Sequence, residues 1–221
     1  QIDKAEKLGF TAHFMSEVEW FYTKDGKPMD TGGYLAVPPE DKAGPLRRQL
    51  AAIFADARIK TKRIHHECAP GQNEVELKLA PVMTNADDTL LAEWIIRVCA
   101  DEQGYDVELD AKPWIGEAGN GLHQHIQLRD ADGKNVFAAE KGAQELSETG
   151  KHFVAGLIEH AREIAAVFCR SDQSFQRFTA AHEAPIWAVW DYMNRDAMVR
   201  IPFIPAGKFC IFTVRTRAED V

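Results

Sequence analysis

The residues best suited to chemistry in this chain are glutamates and histidines that recur in three short segments. The first segment holds Glu17 and Glu19, two positions apart in a run that reads as a strand. Side chains two apart on a strand point to one face, so both carboxylates would leave the sheet on the same side. A solvated sheet face often shows the same alternation, so this pair alone does not define a site.

The second segment places two more carboxylates on either side of a tight turn. Glu67 and Glu74 are separated by a Pro-Gly dipeptide, which favours a turn between two strands. If those strands fold beside each other, both glutamates can face one site. A hairpin with exposed charges is the alternative. The adjacent His65 and His66 weaken it, because four residues with metal-ligand chemistry rarely crowd one turn.

The third segment is a glycine-rich loop that leads into a strand with two histidines. Gly119 and Gly121 would let a ligand or another backbone come close, and His123 and His125 share one face of the strand that follows. A histidine pair is more often structural when it stands alone. Beside four glutamates, it indicates part of a site for metal and phosphate.

The composition is that of an ordinary globular protein and excludes some functions. Of 221 residues, 45% are hydrophobic and 27% are charged, and the formal net charge is -8. This charge argues against a nucleic-acid binder, which would usually carry a basic face, and it suits a protein that concentrates cations. No apolar run reaches the length of about 20 residues that crosses a bilayer. We therefore expect neither nucleic acid nor a membrane as a partner.

The cysteines and the chain ends suggest where the protein works and what the chain represents. Cys68, Cys99, Cys169 and Cys210 are scattered without a CxxC pair, which predicts reduced thiols in the cytoplasm. No signal-peptide pattern opens the chain. It starts at Gln1 and stops just after a strand-like segment, so we expect a fragment of a longer protein.

The order of elements predicts an α+β fold with an antiparallel-rich, curved sheet and flanking helices. Expected strands cover residues 11–23, 60–67, 72–80, 105–113, 122–129, 198–205 and 209–217. Expected helices cover residues 45–57, 85–103, 147–169 and 187–194. Neither repeats nor linkers interrupt the chain, so one domain is expected over residues 1–221.

Two of these helices carry specific expectations. Thr84 should cap the helix over residues 85–103, with Gly104 just past its end. The apolar stripe of this helix should comprise Leu91, Trp94, Ile95 and Val98. The helix over 147–169 should be the longest, with Phe153, Leu157, Ile164 and Phe168 on or near one side.

The motifs occur in the order found in the glutamine synthetase family, and the chain from about Glu17 to Arg215 resembles that family. The matching pieces are Glu17-x-Glu19, Gly32-Gly33-Tyr34, His66-Glu67 with Gly71-Gln72-x-Glu74, Gly119-x-Gly121-x-His123-x-His125, Arg177, Glu183-Ala184-Pro185, Asn194-Arg195 and Arg200-Ile201-Pro202. No piece is decisive alone, but the ordered set is very specific. The resemblance implies a catalytic-domain-like unit that lacks the family's small N-terminal β-grasp domain and its C-terminal end.

By this resemblance, Glu19, Glu67 and Glu74 hold one Mg²⁺ or Mn²⁺ ion, and Glu17 and His123 hold a second. The implied reaction transfers a phosphoryl group from ATP to the side-chain carboxylate of glutamate. Ammonia or another amine then attacks the resulting γ-glutamyl phosphate. Two hard cations with oxygen ligands would neutralise the negative charge that this transfer gathers.

The resemblance also implies roles for residues around the ions. Arg195 and Arg200 would contact the transferring phosphoryl group or the nucleotide, and His125 would contact the nucleotide. The amino-acid substrate would be held by Gly119, Arg177 and Arg215. Tyr34 would line the ammonium pocket, and Glu183 would shield the intermediate and accept a proton from ammonium. Planar guanidinium groups suit phosphoryl and carboxylate oxygens. Outside this motif context, solubilising surface charge would be the preferred interpretation of the arginines.

Several positions depart from the family pattern. Thr213 stands where the third protein ligand of the second ion is expected, so that site would lose one negative charge. Ile211 replaces an arginine near the adenine, and Gln127 replaces a serine near the nucleotide. Ala118 replaces an asparagine beside the substrate, and His182 replaces the aromatic or similar residue before the lid glutamate. The expected metal ligands are thus largely kept, whereas substrate and nucleotide contacts differ.

Three functions remain open on the sequence. The leading hypothesis is an ATP-dependent, ADP-forming carboxylate–amine ligase that acts on glutamate with ammonia or another amine. The second is a non-catalytic paralogue that binds metal or nucleotide, which Thr213 favours. The third is a phosphotransferase that keeps only the kinase half-reaction. The resemblance further implies a ring-shaped homo-oligomer for the complete protein, with active sites between subunits.

Overall fold

One large sheet organises the chain. The computed structural model describes residues 1–139, 146–169, 171–178, 184–202 and 212–214, the last three as backbone only. Its strands are β1 Thr11–Lys24, β2 Lys27–Pro28, β3 Thr61–His66, β4 Gln72–Leu77, β5 Ala80–Pro81, β6 Asp106–Glu108, β7 Leu122–Arg129, β8 Trp187–Tyr192, β9 Ala197–Ile201 and β10 Phe212–Val214. Its helices are α1 Ile2–Lys7, α2 Gly44–Asp56, α3 Val82–Asp101, α4 Glu148–Glu159, α5 Ala161–Phe168 and α6 Asp172–Gln176.

Strand β1 is the centre of the sheet and sets the positions of its neighbours. The strand order is β3-β4-β1-β7-β10-β9-β8, and β2, β5 and β6 also pair with β1. All of these described pairings are antiparallel except that of β8 with β9, which is parallel. Helices pack on this sheet, so the expected α+β fold with an antiparallel-rich sheet is confirmed.

The two faces of β1 differ in chemistry because its side chains alternate. Val18, Trp20 and Tyr22 are fully buried in a hydrophobic core with residues of α2 and α3, such as Leu50 and Ile96. Fully burying a large apolar side chain stabilises the fold by about 1.5–3 kcal/mol. Core packing on this face therefore fixes which way β1 is turned. The residues between, Glu17 and Glu19, must face the other side.

Helix α3 begins earlier and is rotated differently from what the sequence predicted. Its N-cap is Pro81, not Thr84. Ile95 is buried as expected, but the rest of the expected stripe, Leu91, Trp94 and Val98, is exposed. The buried face is formed instead by residues that include Ala92, Ile96, Cys99 and Ala100. The helix is apolar around much of its circumference, and its small alanines let it approach the sheet more closely than Trp94 would.

The helix expected over residues 147–169 is divided in two. Residue His160 lies between α4 and α5, with φ −98° and ψ 18°, outside regular helical geometry. The twenty-residue α3 is therefore the longest helix among the described residues. Ser147 does cap α4, since its side chain accepts a hydrogen bond from the Gly150 backbone N–H.

Residues 187–194 do not form the expected helix. Trp187–Tyr192 is strand β8, which is exposed along its length and pairs with β9. Aromatic and β-branched residues such as Val189 favour extended backbone, and this preference prevails here. The strand expected over 105–113 shortens to β6. The expected strands 198–205 and 209–217 appear as β9 and β10, with their other parts at 203–211 and 215–217 outside the described residues.

Among the helices described, none combines the length and apolarity required to cross a bilayer.

Candidate metal and phosphate site

A cavity of about 350 Å³ opens over the polar face of the sheet. The cavity is lined by Met15, Glu17, Glu19, Tyr34, Lys62, Arg63, His65, Glu67, Cys68, Gln72, Glu74, Glu76, Ala118, Gly119, His123, His125, Arg177, Arg195, Arg200 and Pro202. Every site residue expected from the sequence lines it, apart from Glu183 and Arg215, which lie outside the described residues. The fold thus brings separate sequence segments to one place, whatever role each residue has there.

Strand register explains how the carboxylates converge. Glu19 on β1 pairs with Glu74 on β4, and Glu17 pairs with Glu76 on β4 and with His123 on β7. Directly opposed residues on neighbouring strands have Cβ atoms about 4.5–5.5 Å apart. These four glutamates, together with Glu67 from the turn after β3, form a compact block of carboxylates in the cavity.

Burial makes this block of carboxylates costly without a cation. Glu17, Glu19, Glu67 and Glu74 are all less than a tenth exposed. Burial raises the pKa of Glu19 to about 8, opposed by Arg177 and reinforced by Glu67. Burial also raises the pKa of Glu74 well above its usual range, and the neighbouring carboxylates add to the effect. A divalent cation would offset both effects by neutralising the charge.

Asp30 shapes the turn that carries Glu67. Its carboxylate accepts hydrogen bonds from the backbone N–H groups of Gly32, Lys42 and Gly71, and contacts His66 Nε2 at 3.0 Å. Burial alone would raise the pKa of Asp30, but these hydrogen bonds, led by that from His66, lower it. His66 therefore holds the turn through Asp30 and, unlike its neighbour His65, does not line the cavity.

The glycine-rich loop comes very close to other parts of the site. A Cβ atom at Gly119 would lie 2.0 Å from the carbonyl oxygen of Ala111, and one at Gly121 would lie 2.7 Å from Arg177 Nη2. A larger residue at Gly119 would require the backbone to move, and one at Gly121 would displace the Arg177 and His123 side chains. This approach lets the Gly121 N–H donate a 2.9 Å hydrogen bond to Glu19.

Both histidines lie among the carboxylates. His125 Nε2 is 2.5 Å from Glu17 Oε1, and His123 Nε2 is 3.4 Å from Glu19 Oε1. His123 is opposite Glu17 in the strand pairing, so its backbone position agrees with a shared ion. The placement leaves both histidine rings in reach of the carboxylate block.

The arginines and Tyr34 border the cavity. Arg177 is buried and its Nη2 lies 3.9 Å from Glu19 Oε2. Arg195 is exposed and Arg200 is half-buried, so both can meet a ligand that enters from solvent. Burial, and then the Glu67 carboxylate, raise the pKa of Tyr34, which keeps its hydroxyl protonated.

The sequence interpretation missed several residues that line the cavity. Glu76 is the most notable, because it is 6% exposed and lies beside Glu17. Lys62 and Arg63 on β3 contact its carboxylate at 2.6 and 2.9 Å. The signal was the alternation of Glu74 and Glu76 on one strand, which a solvated face produces equally often.

The donor atoms of the site fit a hard divalent cation. His65, Glu74 and Glu76 each offer one ligand atom, and these atoms lie within 4.8 Å of one another. Carboxylate oxygens are the ligands that Mg²⁺ and Mn²⁺ prefer. Glu74 is also one of the ligands expected from the sequence. The cluster therefore lies inside the predicted metal site and extends it towards β3.

Known proteins of one family resemble this chain. The family description "Glutamine synthetase, catalytic domain" matches residues 1–213. Glutamine synthetase from Mycolicibacterium smegmatis is 33% identical over 227 residues, covering 100% of this chain and 51% of that protein. The Thermus thermophilus glutamine synthetase is 36% identical over 210 residues, covering 91% of this chain and 47% of that protein.

Solved structures agree on the fold. A cryo-EM structure of Plasmodium falciparum glutamine synthetase superposes with a TM-score of 0.88 at 21% identity, covering 98% of this chain and 50% of that one. A structure described as apo GmaS without ligand superposes with a TM-score of 0.80 at 27% identity, covering 98% of this chain and 51% of that one. The chain spans about half the length of these relatives. The family match over residues 1–213 and these relatives show that the chain belongs to the glutamine synthetase family.

Proposed function

We propose that the protein containing this chain is an ATP-dependent, ADP-forming ligase that joins glutamate to ammonia or another amine through a γ-glutamyl phosphate. One observation carries the proposal: a block of buried carboxylates and histidines shares a cavity with four arginines. The carboxylates and histidines can bind cations, and the cations and arginines together can bind anionic groups. Membership of the glutamine synthetase family supplies the reaction class.

The family resemblance implies the metal ligands, and the strand register supports the assignment because it pairs Glu19 with Glu74 and Glu17 with His123. Glu19, Glu67 and Glu74 would hold one Mg²⁺ or Mn²⁺ ion, and Glu17 and His123 would hold a second. When bound, the ions would neutralise charge on the phosphoryl group during transfer. Before they bind, the raised pKa values of Glu19 and Glu74 favour the protonated form of these two carboxyl groups.

Other residues would bind and orient the reactants. Arg195 and Arg200 would stabilise the transferring phosphoryl group, with His125 near the nucleotide. Arg177, Gly119 and Arg215 would hold the amino acid, Tyr34 would line the ammonium pocket, and Glu183 would shield the intermediate and accept the ammonium proton. The buried position of Arg177 supports its role, because a fixed guanidinium orients a carboxylate well.

A non-catalytic, metal- or nucleotide-binding paralogue is the second candidate. It is favoured by Thr213, which replaces a charged ligand of the second ion and pairs in the sheet with His125. Ala118 lines the cavity where the family has asparagine, and the buried Gln127 replaces a serine. These departures would alter substrate contacts, and they leave room for an amine other than ammonia.

The complete protein is proposed to be a cytoplasmic homo-oligomeric ring whose sites lie between subunits. Neither nucleic acid nor membrane is a proposed partner. Light scattering on the complete protein should show one large, defined species. A stable monomer would contradict shared active sites.

Trapping the intermediate separates the ligase from the paralogue. Hydroxylamine should intercept the acyl phosphate and give γ-glutamyl hydroxamate, with ATP consumed in proportion. Arg195→Ala should lower kcat strongly and change the KM for ATP less, because charge on the phosphoryl group is redistributed only during transfer. Glu183→Ala should still consume ATP but form little amide. No hydroxamate and no ATP consumption, with either metal and several amines, would favour the paralogue.

A further inference from the structure

Glu76 is a carboxylate in the cavity for which the proposed ligand set has no role. It is 6% exposed and lines the cavity from β4. Its backbone pairs with Glu17, which in turn pairs with His123 on the other side. Glu76, Glu17 and His123 thus form one row across three neighbouring strands. Two members of this row are the proposed ligands of the second ion.

The row of Glu76, Glu17 and His123 contains two carboxylates, whereas the neighbouring row contains none. Thr213 pairs with His125, which pairs with Met15, so this neighbouring row contains no carboxylate. Threonine offers at most a neutral hydroxyl to a cation, so the second site would have only one anionic ligand without Glu76. The Glu76 carboxylate lies on the side of Glu17 opposite to His123 and would restore a second anionic ligand.

Distances and charge place Glu76 within the metal-binding cluster. One of its oxygens lies within 4.8 Å of ligand atoms on Glu74 and His65, so small rotations would bring these donors to an ion. Glu76 therefore belongs to the same cluster of side chains as the predicted ligand Glu74.

We propose that Glu76 supplies the anionic ligand that Thr213 lacks, so that Glu17, Glu76 and His123 hold the second Mg²⁺ or Mn²⁺ ion. This inference rests on the two-ion site of the proposed function. In the metal-free chain, Lys62 and Arg63 neutralise Glu76 from β3. The side chains of Lys62 and Arg63 are 42% and 52% exposed, so both cations can move into solvent when an ion binds. A divalent ion can displace both.

The alternative is that Glu76 only anchors these two cations at the rim of the cavity. The two roles predict opposite effects when Lys62 and Arg63 are neutralised. If Glu76 is a ligand, the cations compete with the ion, and the Lys62→Gln, Arg63→Gln variant should bind the second ion more tightly. If Glu76 is an anchor, this variant should resemble Glu76→Gln.

The test measures free Mn²⁺ by electron paramagnetic resonance during titration of the complete protein, without ATP, glutamate or amine. The unaltered protein should bind two ions per chain. Glu76→Gln should keep the first ion and weaken the second by about 10- to 100-fold. Adding Thr213→Glu to that variant should restore the second affinity to within about threefold of the unaltered protein. Glu148→Gln, at an exposed carboxylate on α4, is the matched control and should change neither ion.

Each other outcome overturns the assignment. One such outcome is that the unaltered protein binds only one Mn²⁺ ion, and another is that Glu76→Gln leaves the affinity for the second ion unchanged. A third is that adding Thr213→Glu fails to restore that affinity, and a fourth is that neutralising Lys62 and Arg63 weakens it. Any one of these results would contradict the assignment. If Glu76→Gln does not fold, Glu76→Asp keeps the charge on a shorter side chain and should weaken the second ion less than tenfold. A protein that binds both ions but forms no hydroxamate would refute the ligase and leave this assignment intact.

Discussion

At the scale of single residues, the protons on the buried carboxylates give the clearest prediction. The ordinary pKa of Glu19 is 4.5, and burial raises it to about 8 in the folded chain. The folded protein therefore holds this proton more tightly than the unfolded one. The resulting stability is fully present below pH 4.5 and is lost as the pH rises through about 8.

We expect the melting temperature of the metal-free protein to fall between about pH 5 and about pH 9. The melting temperature of the Glu19→Gln variant should fall less over the same range, because the glutamine side chain cannot ionise. Saturating Mn²⁺ should reduce the fall in the unaltered protein by neutralising the cluster. Calorimetric melting curves at several pH values measure all three, and equal slopes in the two metal-free proteins would refute the role of Glu19.

Asp30 gives a second prediction at this scale, because one buried carboxylate holds several backbone groups and His66. Asp30→Asn keeps the size but loses the charge, so we expect a loss of about 1–3 kcal/mol in the free energy of unfolding. Urea unfolding measures it. Asp132→Asn, in an exposed turn, is the control and should change stability by less than about 0.5 kcal/mol. Similar losses in both variants would contradict the special position of Asp30.

At the scale of elements, local sequence patterns predicted the strands that carry the site. Residues 122–129 form β7 as expected, and β1 differs from its expected bounds by one residue. Alternation with a buried face, and the glycines beside these strands, are local signals. The rotation of α3 depends on its packing against β1 and α2, which are distant in sequence, and local periodicity cannot reveal it.

For the site, too, local motifs identified some residues, whereas others depend on contacts between strands and loops. Motifs identified Glu17, Glu19 and Glu74, but only the register of β4 against β1 shows that Glu76 lies beside Glu17. Asp30 was also missed, because its partners are distant in sequence and it belongs to no motif. Strand pairing and loop contacts therefore add residues that motif order leaves out.

The glycine-rich loop is an element whose close contacts can be tested. Gly119→Ala would place a Cβ atom against the Ala111 carbonyl, so the loop must move, and with it the Gly121 N–H that binds Glu19. We expect weaker Mn²⁺ binding and a lower melting temperature. Gly156→Ala on α4, where a Cβ meets no atom within 4 Å, is the control and should be neutral or stabilising. Unchanged metal affinity in Gly119→Ala would contradict the positioning role of the loop.

At the scale of the whole molecule, the cavity exists only when the sheet is folded. Its lining residues run from Met15 to Pro202 in the sequence, so ions that bind there stabilise the folded state over the unfolded one. The formal net charge of -8 gives the whole chain an attraction for cations that the buried block concentrates. Metal affinity alone, however, does not distinguish a ligase from a paralogue that only binds.

The most direct test of the proposed reaction follows one oxygen atom. The complete protein is supplied with ATP, Mg²⁺, ammonium and glutamate labelled with ¹⁸O in its side-chain carboxyl group. If that carboxylate accepts the phosphoryl group, one labelled oxygen leaves with the phosphate when the amine displaces it. We predict that mass spectrometry will find one ¹⁸O atom in the phosphate for each amide formed. Amide formed together with unlabelled phosphate would contradict an acyl phosphate intermediate.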